Sequence, residues 1–368
     1  MQTTRSLVAA VSRSAGEPMG FEQLTLEEPR DDEVLVEVHY AGICHTDINC
    51  HHGRMPTPRP VVLGHEGAGT VVEVGARVTE LSPGDRVLMT FMSCGRCRVC
   101  RSGRPAYCPS ALALNFLAGR ADGSNAYRDT EVRGHFFGQS SFATLAMANE
   151  RNVVRVPDEL PLDRAAVLGC GVMTGAGTVL NSLRVTPGSS VAVFGAGAVG
   201  LSALLAARIA GASTVVAVDT VRSRLALATE LGASHTLAAG ADTAAVLTEL
   251  TGGGVDFCVE ASGSPVALTQ AIDCLGSGGS CAAVGTVNEP ASPSWRALRL
   301  KGATIRGVVE GDANPPLLLP QLFGFHAQGR FPFERLISNY DFTKINDAIA
   351  DAESGVAIKP VLAVGGTR

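Results

Sequence analysis

The sequence predicts an α/β protein in which a β-rich domain is interrupted by a second domain built on a doubly wound parallel sheet. The first 165 residues or so are rich in Val, Pro and Gly and contain short β-type runs. From about residue 172, apolar strands alternate with Ala- and Leu-rich helical stretches, which is typical of a parallel sheet covered by helices. The Pro-rich segment Asn314–Pro316 then opens a third stretch, which we expect to pack back on the first.

Local patterns place the individual elements. In the β-rich part we expect strands over 34–38, 69–74 and 85–88, forming a compact unit such as a partly closed barrel. The parallel sheet is expected to contain Val191–Phe194, Thr214–Val218, Asp256–Val259 and Ser280–Val284, with helices over 198–210 and 222–232. The third stretch is expected to form a helix over 316–328 and to end in an apolar run over 358–364.

Length and composition exclude several classes of protein. The chain has 368 residues, 46% hydrophobic and 18% charged, so two domains with substantial cores are expected and global disorder is excluded. The net charge of −5 provides no field for nucleic acid or for an anionic membrane. Glycine is abundant at 42 residues, and ten cysteines are too dilute for a disulfide scaffold.

One uncharged stretch, residues 185–207, is long enough to suggest a membrane segment. It contains three glycines, and glycine costs about 1 kcal/mol per site in a helix interior, so we predict a strand–turn–helix instead. Residues 1–20 lack the basic start and apolar stretch of a secretory signal. We therefore expect a cytoplasmic protein, and in that compartment clustered thiols usually hold metal.

The three glycines form the motif Gly195-x-Gly197-x-x-Gly200, between a β-branched strand and an Ala/Leu helix. Such glycines permit a tight turn, close approach of a pyrophosphate and close helix–strand packing. The phosphates then lie over free N–H groups at the helix N-terminus. Asp219 ends the next strand, where a carboxylate can accept hydrogen bonds from the adenosine ribose and repel the 2′-phosphate of NADP. We therefore predict a Rossmann domain that binds NAD.

Four cysteines, Cys94, Cys97, Cys100 and Cys108, lie within fifteen residues. Four thiolates suit one tetrahedral zinc ion, with zinc–sulfur bonds of about 2.3 Å. An iron–sulfur cluster is the alternative, although the ferredoxin pattern has about three residues before its fourth cysteine, where this run has seven. A closed four-thiolate site has no open position, so we expect it to stabilise a lobe and to do no chemistry.

Further metal-ligating residue types stand in three separate segments. A catalytic zinc needs three protein ligands and one open position, and Cys44, His65 and Cys170 provide a Cys₂His set. Sequence distance alone does not join these three residues. The segments are Gly42–Asp47, Leu63–Gly67 and Leu168–Gly171.

In this order and spacing, the three segments, the four-cysteine run and the glycine loop resemble the zinc-dependent medium-chain alcohol dehydrogenases. The stretch Gly64-His65-Glu66-x-x-Gly69-x5-Gly75-x-x-Val78 fits the zinc signature of that family. The resemblance covers essentially the whole chain. It implies a GroES-like catalytic domain over residues 1–171 and 310–368 and a Rossmann domain over 172–309. It also implies an active site in the cleft between these domains and a homodimer or homotetramer.

The resemblance assigns roles to the metal-ligating segments. By it, Cys44, His65 and Cys170 bind a catalytic zinc, while Cys94, Cys97, Cys100 and Cys108 bind a structural one, giving two zinc ions per chain. Glu66 is then an adjacent carboxylate that can visit the metal, and Asp47 orients the His65 ring. The zinc lowers the pKa of a bound alcohol, hydride passes to the nicotinamide, and Thr46 accepts the alcohol proton.

The end of the proton relay stays open. In many relatives a histidine five residues after the first cysteine ligand completes the relay, and here that position is Asn49, which cannot titrate. His51 and His52 are close in sequence. We expect the relay to end in water or on one of these histidines.

Other assignments carried over from the family concern the cofactor. His45 and Lys359 are expected at the cofactor pyrophosphate, and Thr174, Val199 and Val284 at the nicotinamide. Arg222 and Arg224 follow Asp219 and leave NADP as the alternative, with Arg224 expected to contact the cofactor. Four cysteines match no ligand position and are expected to be small apolar residues: Cys50, Cys258, Cys274 and Cys281.

Three segments resemble the aryl-alcohol (benzyl alcohol) and allylic terpene-alcohol branch of the family: 134–142, 305–312 and 329–333. By family position, Phe136 and Phe137 lie near the substrate channel, and Phe91 is expected to join them. Aromatic walls add about 0.5–1.5 kcal/mol per ring pair beyond area burial. We therefore expect a primary aromatic or allylic alcohol as substrate, with core packing as the alternative role for these rings.

Several alternatives remain. Within the family these are the glutathione adduct of formaldehyde, S-(hydroxymethyl)glutathione, and short aliphatic alcohols. From another class, a relative could keep only the structural zinc and serve as a binding or quinone-reducing protein, although such relatives commonly lack the Cys44, His65 and Cys170 set. A zinc-finger regulator is disfavoured by the net charge and by the cofactor loop.

Overall fold

A computed structural model describes residues 5–286, 289–291 and 293–365. The chain divides into two compact units, and the chain leaves the first unit and later returns to it. The first unit comprises Met1–Cys170, Asn314–Phe323 and Glu334–Arg368, and the second comprises Gly171–Ala313 and Gly324–Phe333.

The part of the chain before Cys170 is rich in short strands. In chain order its elements are β1 (Arg5–Ser12), β2 (Gly20–Leu26), β3 (Glu33–Gly42), α1 (His45–His51), β4 (Val61–Val62), β5 (Glu66–Val74), β6 (Arg86–Met89), α2 (Arg98–Arg101), α3 (Ala111–Phe116), β7 (Leu145–Asn149), β8 (Val153–Arg155) and α4 (Leu162–Ala166).

Strands and helices alternate in the next part, after a helix that continues into a π-helical turn over Thr178–Leu183. The elements are α5 (Gly171–Gly177), β9 (Ser190–Phe194), α6 (Ala198–Ile209), β10 (Thr214–Asp219), α7 (Arg222–Glu230), β11 (His235–Ala238), α8 (Thr243–Leu250), β12 (Val255–Glu260), α9 (Pro265–Asp273), β13 (Leu275–Ala283), α10 (Trp295–Lys301) and β14 (Thr304–Gly307). The last part contains α11 (Pro315–Ala327), β15 (Ile337–Asp341), α12 (Ile345–Ser354) and β16 (Lys359–Ala363).

In the first unit, the long strand β3 organises the larger of two sheets. It pairs antiparallel with β5 along one side, and with β7 and β16 along the other. In this register Gly42 lies opposite both Glu66 and Val361. The end of β3, the start of β5 and the start of the C-terminal strand β16 therefore meet at one place, and this convergence is where the candidate site forms.

The second unit contains a six-stranded sheet in which every described pairing is parallel. Its order is β11-β10-β9-β12-β13-β14. Numbered from β9, this is the 3-2-1-4-5-6 order of a doubly wound dinucleotide-binding sheet. One layer of its core contains Phe194, Val218, Cys258 and Leu275. The fold class predicted from the sequence, a β-rich domain with an inserted doubly wound sheet, is confirmed.

The apolar stretch 185–207 is divided between β9 and α6, as the glycine content predicted. Among the described residues no single helix is long and apolar enough to cross a membrane. One bent pair of helices, Leu162–Gly169 and Gly171–Leu183, together has the length and apolar composition that a membrane span needs, and these two properties are the only ones it shares with such a span.

Candidate active site

Four potential metal ligands come together in the first unit, at the convergence of β3, β5 and β16. Cys44 immediately precedes α1, His65 and Glu66 stand at the start of β5, and Cys170 follows a 3-10 turn after α4. One ligand atom from each lies within 4.8 Å of all the others. His65 and Glu66 are buried, Cys170 is buried and Cys44 is half-buried. The structure thus brings together residues that are separated by more than a hundred positions in the sequence.

Asp47 fixes the orientation of the His65 imidazole. Its Oδ1 lies 2.8 Å from His65 Nδ1 and accepts a hydrogen bond from the Gly64 N–H at 3.1 Å. Its Oδ2 accepts the Cys44 N–H at 3.0 Å. Both Asp47 and His65 are only 1% exposed. A carboxylate on one imidazole nitrogen is the usual arrangement behind a metal-ligating histidine, because it leaves the other nitrogen for the metal.

The other nitrogen of His65 fits that interpretation. Nε2 is buried, and among the residues that the structure describes it has no hydrogen-bond partner. An unpaired buried polar atom costs free energy, so its presence calls for a partner. The neighbouring metal-ligating groups include the thiols of Cys44 and Cys170. Imidazole and thiolate together are a ligand set that zinc prefers. The residues present therefore fit a zinc ion.

Glu66 is paired with Lys359, which β16 contributes to the site. Lys359 Nζ lies 2.5 Å from the Glu66 carboxylate and donates to the Ile43 carbonyl at 3.2 Å. Neither side chain is accessible to solvent beyond 2%. Burial tends to lower the pKa of Lys359, but the charges of Glu66, Cys44 and Cys170 together outweigh burial and raise the pKa. A buried ammonium thus stands beside the carboxylate and the thiols.

The surroundings of the ligands favour a deprotonated Cys44 thiol beside a positive charge. Hydrogen bonding from Cys170, with further contributions from His65 and Lys359, holds the pKa of the Cys44 thiol well below its ordinary value despite burial. Burial lowers the pKa of His65, but the Asp47 carboxylate outweighs burial and raises it. Metal ligands must be deprotonated thiols and neutral imidazoles. A bound cation therefore competes with the proton at His65.

A second cluster lies in the same unit and consists of Cys94, Cys97, Cys100 and Cys108. Their sulfur atoms also lie within 4.8 Å of one another, and none forms a disulfide. Backbone N–H groups of Cys94, Cys97 and Cys100 each point at a cluster sulfur from 3.4 Å. Such hydrogen bonds, the Arg96 N–H first among them, lower the pKa of Cys94 to about 6. Four convergent thiols suit a closed tetrahedral metal site.

Aromatic rings cover the His65 imidazole. The Phe137 ring stacks on it with centroids 4.4 Å apart, and the Phe136 ring meets it edge-on at 5.9 Å. Both phenylalanines are buried and lie on a 3-10 turn over Phe136–Gly138. Phe116, at the end of α3, meets Phe137 edge-on at 5.0 Å and Phe136 at 6.3 Å. Sequence reasoning missed Phe116, because only the fold brings α3 to these rings.

Asn115 attaches α3 to the segment that leads into the four-cysteine cluster. Its Oδ1 accepts the Met92 N–H at 2.7 Å, and its Nδ2 donates to the Met92 and Ala111 carbonyls. Asn115 is buried. Phe116 is thus held in place by the same lobe as the four cysteines.

The predicted glycine loop opens α6 in the second unit. Gly195 has a φ of 91°, and a Cβ on Gly200 would lie 1.8 Å from the Gly195 carbonyl oxygen. Both positions therefore require glycine. A Cβ on Gly197 would meet nothing within 4 Å, so this glycine faces open space at the helix N-terminus. A turn with a clear approach to free N–H groups fits a pyrophosphate.

Asp219 ends β10 and is tied to this loop. Its Oδ2 accepts the Ala196 N–H at 2.6 Å, and its Oδ1 accepts the Val221 N–H at 2.8 Å. Each carboxylate oxygen can accept a second hydrogen bond. Among the described residues, the buried Nε of Arg224 has no hydrogen-bond partner.

The remaining predicted residues have varied positions. Thr174, on α5, and Phe91 are buried, whereas Val199 and Val284 are half-buried. On α1, Thr46 is half-buried and His45 is exposed. Lys359 has the partners described above.

A surface depression of about 580 Å³ in the first unit contains none of the predicted site residues. It is lined by Pro56, Thr57, Pro58, Arg59, Pro60, Leu117, Glu131 and Arg133.

The two histidines at the end of α1, His51 in its last position and His52 directly after it, have partners in their own unit. His51 Nδ1 lies 2.8 Å from the Ser12 hydroxyl, and His52 Nε2 lies 2.8 Å from the Glu353 carboxylate. Burial, followed by the charges of His52 and Arg59, lowers the pKa of His51. Asn49 Oδ1 accepts a hydrogen bond from Arg54 at 3.2 Å.

The four cysteines without a predicted ligand role are all buried. Three of them lie in the core of the doubly wound sheet, where the Cys258 and Cys274 sulfur atoms are 3.4 Å apart. Burial raises the pKa of Cys281 to about 12 and that of Cys50 to about 11. Thiols of this kind are poor nucleophiles and poor ligands.

A buried Cys, His and carboxylate centre, a separate thiol cluster and a doubly wound sheet with a glycine loop define a metal-dependent, dinucleotide-using oxidoreductase. Comparisons with known proteins agree. Residues 30–158 match the alcohol dehydrogenase GroES-like domain family, and residues 198–323 match the zinc-binding dehydrogenase family. A geraniol dehydrogenase from Castellaniella defragrans is 46% identical over 97% of both chains. The chain belongs to the zinc-dependent medium-chain alcohol dehydrogenase family, in its aryl-alcohol dehydrogenase-like branch.

Two solved structures are similar over nearly the whole chain. One is an alcohol dehydrogenase zinc-binding domain protein from Burkholderia ambifaria, with 50% identity, a TM-score of 0.96 and coverage of 99% of this chain and 100% of the other. The second is the benzyl alcohol dehydrogenase of Acinetobacter calcoaceticus, with 43% identity, a TM-score of 0.96 and coverage of 98% and 100%. Family membership makes the protein an enzyme that acts on small-molecule alcohols with zinc and a nicotinamide cofactor.

Proposed function

We propose that this enzyme oxidises primary aromatic or allylic alcohols reversibly to aldehydes, with NAD as hydride acceptor. The observation that carries the substrate class is the aromatic cluster of Phe116, Phe136 and Phe137 on the His65 ring. Edge-on and offset rings favour contact with another π system, and exclude water from the metal ligand. The relatives named for geraniol and benzyl alcohol support the same substrate class.

In this proposal the chain holds two zinc ions. Cys44, His65 and Cys170 bind the catalytic ion, with Glu66 as an adjacent carboxylate that can reach it, and Asp47 keeps the His65 ring in its ligating orientation. A zinc ion there supplies a Lewis acid that lowers the pKa of an alcohol, and NAD supplies the hydride acceptor. The second ion is held by Cys94, Cys97, Cys100 and Cys108 and stabilises its lobe.

Thr46 is the proposed acceptor of the alcohol proton. It follows Cys44 by two residues on α1, so its hydroxyl belongs to the same local segment as a metal ligand. From Thr46 the proton passes to water, since Asn49 cannot titrate and both nearby histidines have other partners. A pH profile of hydride transfer that is unchanged in the His51→Gln/His52→Gln double variant is expected. A shifted profile would assign the relay to a histidine.

NAD is preferred over NADP because of Asp219. Its carboxylate lies at the end of β10, retains acceptor capacity for the ribose hydroxyls and repels a 2′-phosphate. Arg222 and Arg224 stand close by in sequence, and they are the reason to test both cofactors. By family position, His45 is a proposed cofactor contact, and Thr174, Val199 and Val284 are proposed contacts of the nicotinamide. We also propose a homodimer or homotetramer, which light scattering distinguishes.

One assay tests the proposal directly. NADH absorbance is followed with NAD or NADP against benzyl alcohol, geraniol, ethanol and S-(hydroxymethyl)glutathione, on protein whose zinc content has been measured. We expect turnover of benzyl alcohol or geraniol with NAD and about two zinc ions per chain. The substrate proposal fails if fully metallated protein reduces NAD with none of the aromatic or allylic alcohols. One zinc or none, with quinone reduction, would place the protein in the non-dehydrogenase class.

A further inference from the structure

A turn with an uncommon backbone follows β14 in the second unit. Glu310, Gly311 and Asp312 have consecutive φ values of 48°, 64° and 53°, all left-handed. The left-handed region is unfavourable for residues other than glycine, so Glu310 and Asp312 are strained. Strain of this kind persists only where the surrounding structure over-determines it, and such sites are often functional.

Helix α5 is the element that holds this turn. A Cβ on Gly177 would lie 2.4 Å from the Gly311 carbonyl oxygen, and a Cβ on Gly311 would lie 2.7 Å from the Thr174 carbonyl oxygen. The two backbones therefore approach as closely as they do only because both positions are glycine. An ion pair between Arg306 and Asp312 anchors the far end of the turn to β14.

This arrangement holds the Glu310 carboxylate at Thr174. Thr174 Oγ1 donates a hydrogen bond to Glu310 Oε2 at 3.1 Å, and Thr174 is only 7% exposed. The backbone that carries Glu310 is fixed on both sides by packing and by the ion pair. The carboxylate is therefore a positioned charge and not a freely moving surface group.

We propose that Glu310 sets the balance between oxidised and reduced cofactor, by holding a negative charge behind Thr174. This inference rests on the proposed function, in which Thr174 contacts the nicotinamide. The nicotinamide ring is positively charged in NAD⁺ and neutral in NADH. A fixed carboxylate near the ring therefore attracts NAD⁺ and has no comparable effect on NADH. Glu310 acts by the charge of its carboxylate, and the hydrogen bond from Thr174 holds that carboxylate in position.

The test compares the dissociation constants of NAD⁺ and NADH by calorimetry, on the zinc-loaded protein without alcohol. The variant Glu310→Gln keeps an oxygen that can accept the Thr174 hydrogen bond but removes the charge. We expect the Kd of NAD⁺ to rise about fivefold to tenfold, whereas the Kd of NADH changes by less than about twofold. Unchanged thermal unfolding of the variant establishes that its fold is intact.

Two further variants make the result specific. Glu249→Gln removes the same charge from an exposed position on α8 of the same unit and is expected to leave both constants unchanged. Glu310→Ala removes both charge and acceptor, and should shift the ratio of the two constants as much as Glu310→Gln does. A ratio shift in Glu249→Gln, or in Glu310→Ala alone, would overturn the proposal.

Failure of this inference can be told apart from failure of the proposed function. Wild-type protein that binds neither NAD⁺ nor NADH would overturn both. Wild-type protein that binds both forms, with a ratio of constants that Glu310→Gln does not change, would overturn only the role of Glu310.

Discussion

The two ligand clusters of the first unit are built in opposite ways. Cys44, His65, Glu66 and Cys170 come from three separate places in the fold, offer three kinds of ligand atom and are mostly buried. Cys94, Cys97, Cys100 and Cys108 come from one short stretch, use sulfur alone and are mostly half-buried. Peptide N–H groups support the second cluster, whereas charged side chains, Asp47 and Lys359, support the first.

This difference supports the proposed assignment of chemistry to the first cluster and of stability to the second. A centre assembled from several elements can keep a position open for a substrate, because no single segment encloses it. A cluster enclosed by one stretch has all four positions filled, and the metal then contributes folding free energy to its lobe. The comparison therefore predicts that damage to the two clusters has different consequences.

The largest expected effect is a loss of turnover when a ligand of the first cluster, Cys44, is replaced. Cys44→Ser should lower turnover by about a thousandfold or more, because the Lewis acid is lost or misplaced. Its thermal unfolding and its affinity for NADH should change little. Zinc content, steady-state rates and calorimetry measure these quantities. Cys281→Ala, which removes a buried thiol outside both clusters, is the matched control.

Loss of a ligand from the thiol cluster should act on stability first. Cys97→Ser is expected to lower the free energy of unfolding by several kcal/mol, because a structural zinc held by three thiolates binds more weakly. The melting temperature should fall accordingly. Turnover per folded, zinc-loaded molecule should be largely retained. Differential scanning calorimetry and active-site titration separate the two quantities. If Cys97→Ser and Cys44→Ser lost activity and stability to the same extent, the division of roles would be wrong.

A smaller effect is expected from the carboxylate behind His65. Asp47→Asn should weaken zinc affinity or activity by about 10- to 100-fold, the usual loss when the partner of a ligating histidine is altered. The amide can still accept from His65 Nδ1, so the ring orientation is kept while the charge is removed. Competition with a chelator measures the affinity. Equal zinc release from the wild type and the variant would contradict this role.

The smallest effect is expected for Phe116, which packs on the rings at His65 and belongs to the lobe of the four cysteines. Phe116→Leu should raise the KM for benzyl alcohol by a few-fold, since an aromatic contact contributes about 0.5–1.5 kcal/mol. The KM for ethanol should remain unchanged. Phe21→Leu is the matched control, because Phe21 forms an edge-on pair with Phe342 away from His65. A parallel rise for both alcohols would indicate a general loss of packing.

The sequence predicted local features well and distant ones poorly. The glycine loop, Asp219 and the four-cysteine run could be identified from spacing, because a turn or a four-ligand cluster within one stretch is a local property. The Cys₂His set could be joined only through the family resemblance. The roles of Phe116 and Glu310 had no signal in the sequence, since each depends on which element is packed beside it.

Lys359 shows the same limit at a predicted position. Sequence reasoning placed it at the cofactor pyrophosphate, a role that stays a prediction, and it could not foresee the buried pair with Glu66. That pair exists because β16 and β5 both align with the end of β3.

The sequence by itself determined the fold class, the glycine loop and one complete set of candidate metal ligands, because each is encoded by periodicity or spacing within a short stretch. Only the tertiary structure decided which distant residues share a site. Strand register brings Gly42 opposite Glu66, and the start of β16 beside them. Helix packing brings Phe116 to the rings on His65 and Thr174 to Glu310. Such pairings depend on contacts across the whole chain, and no local pattern specifies them.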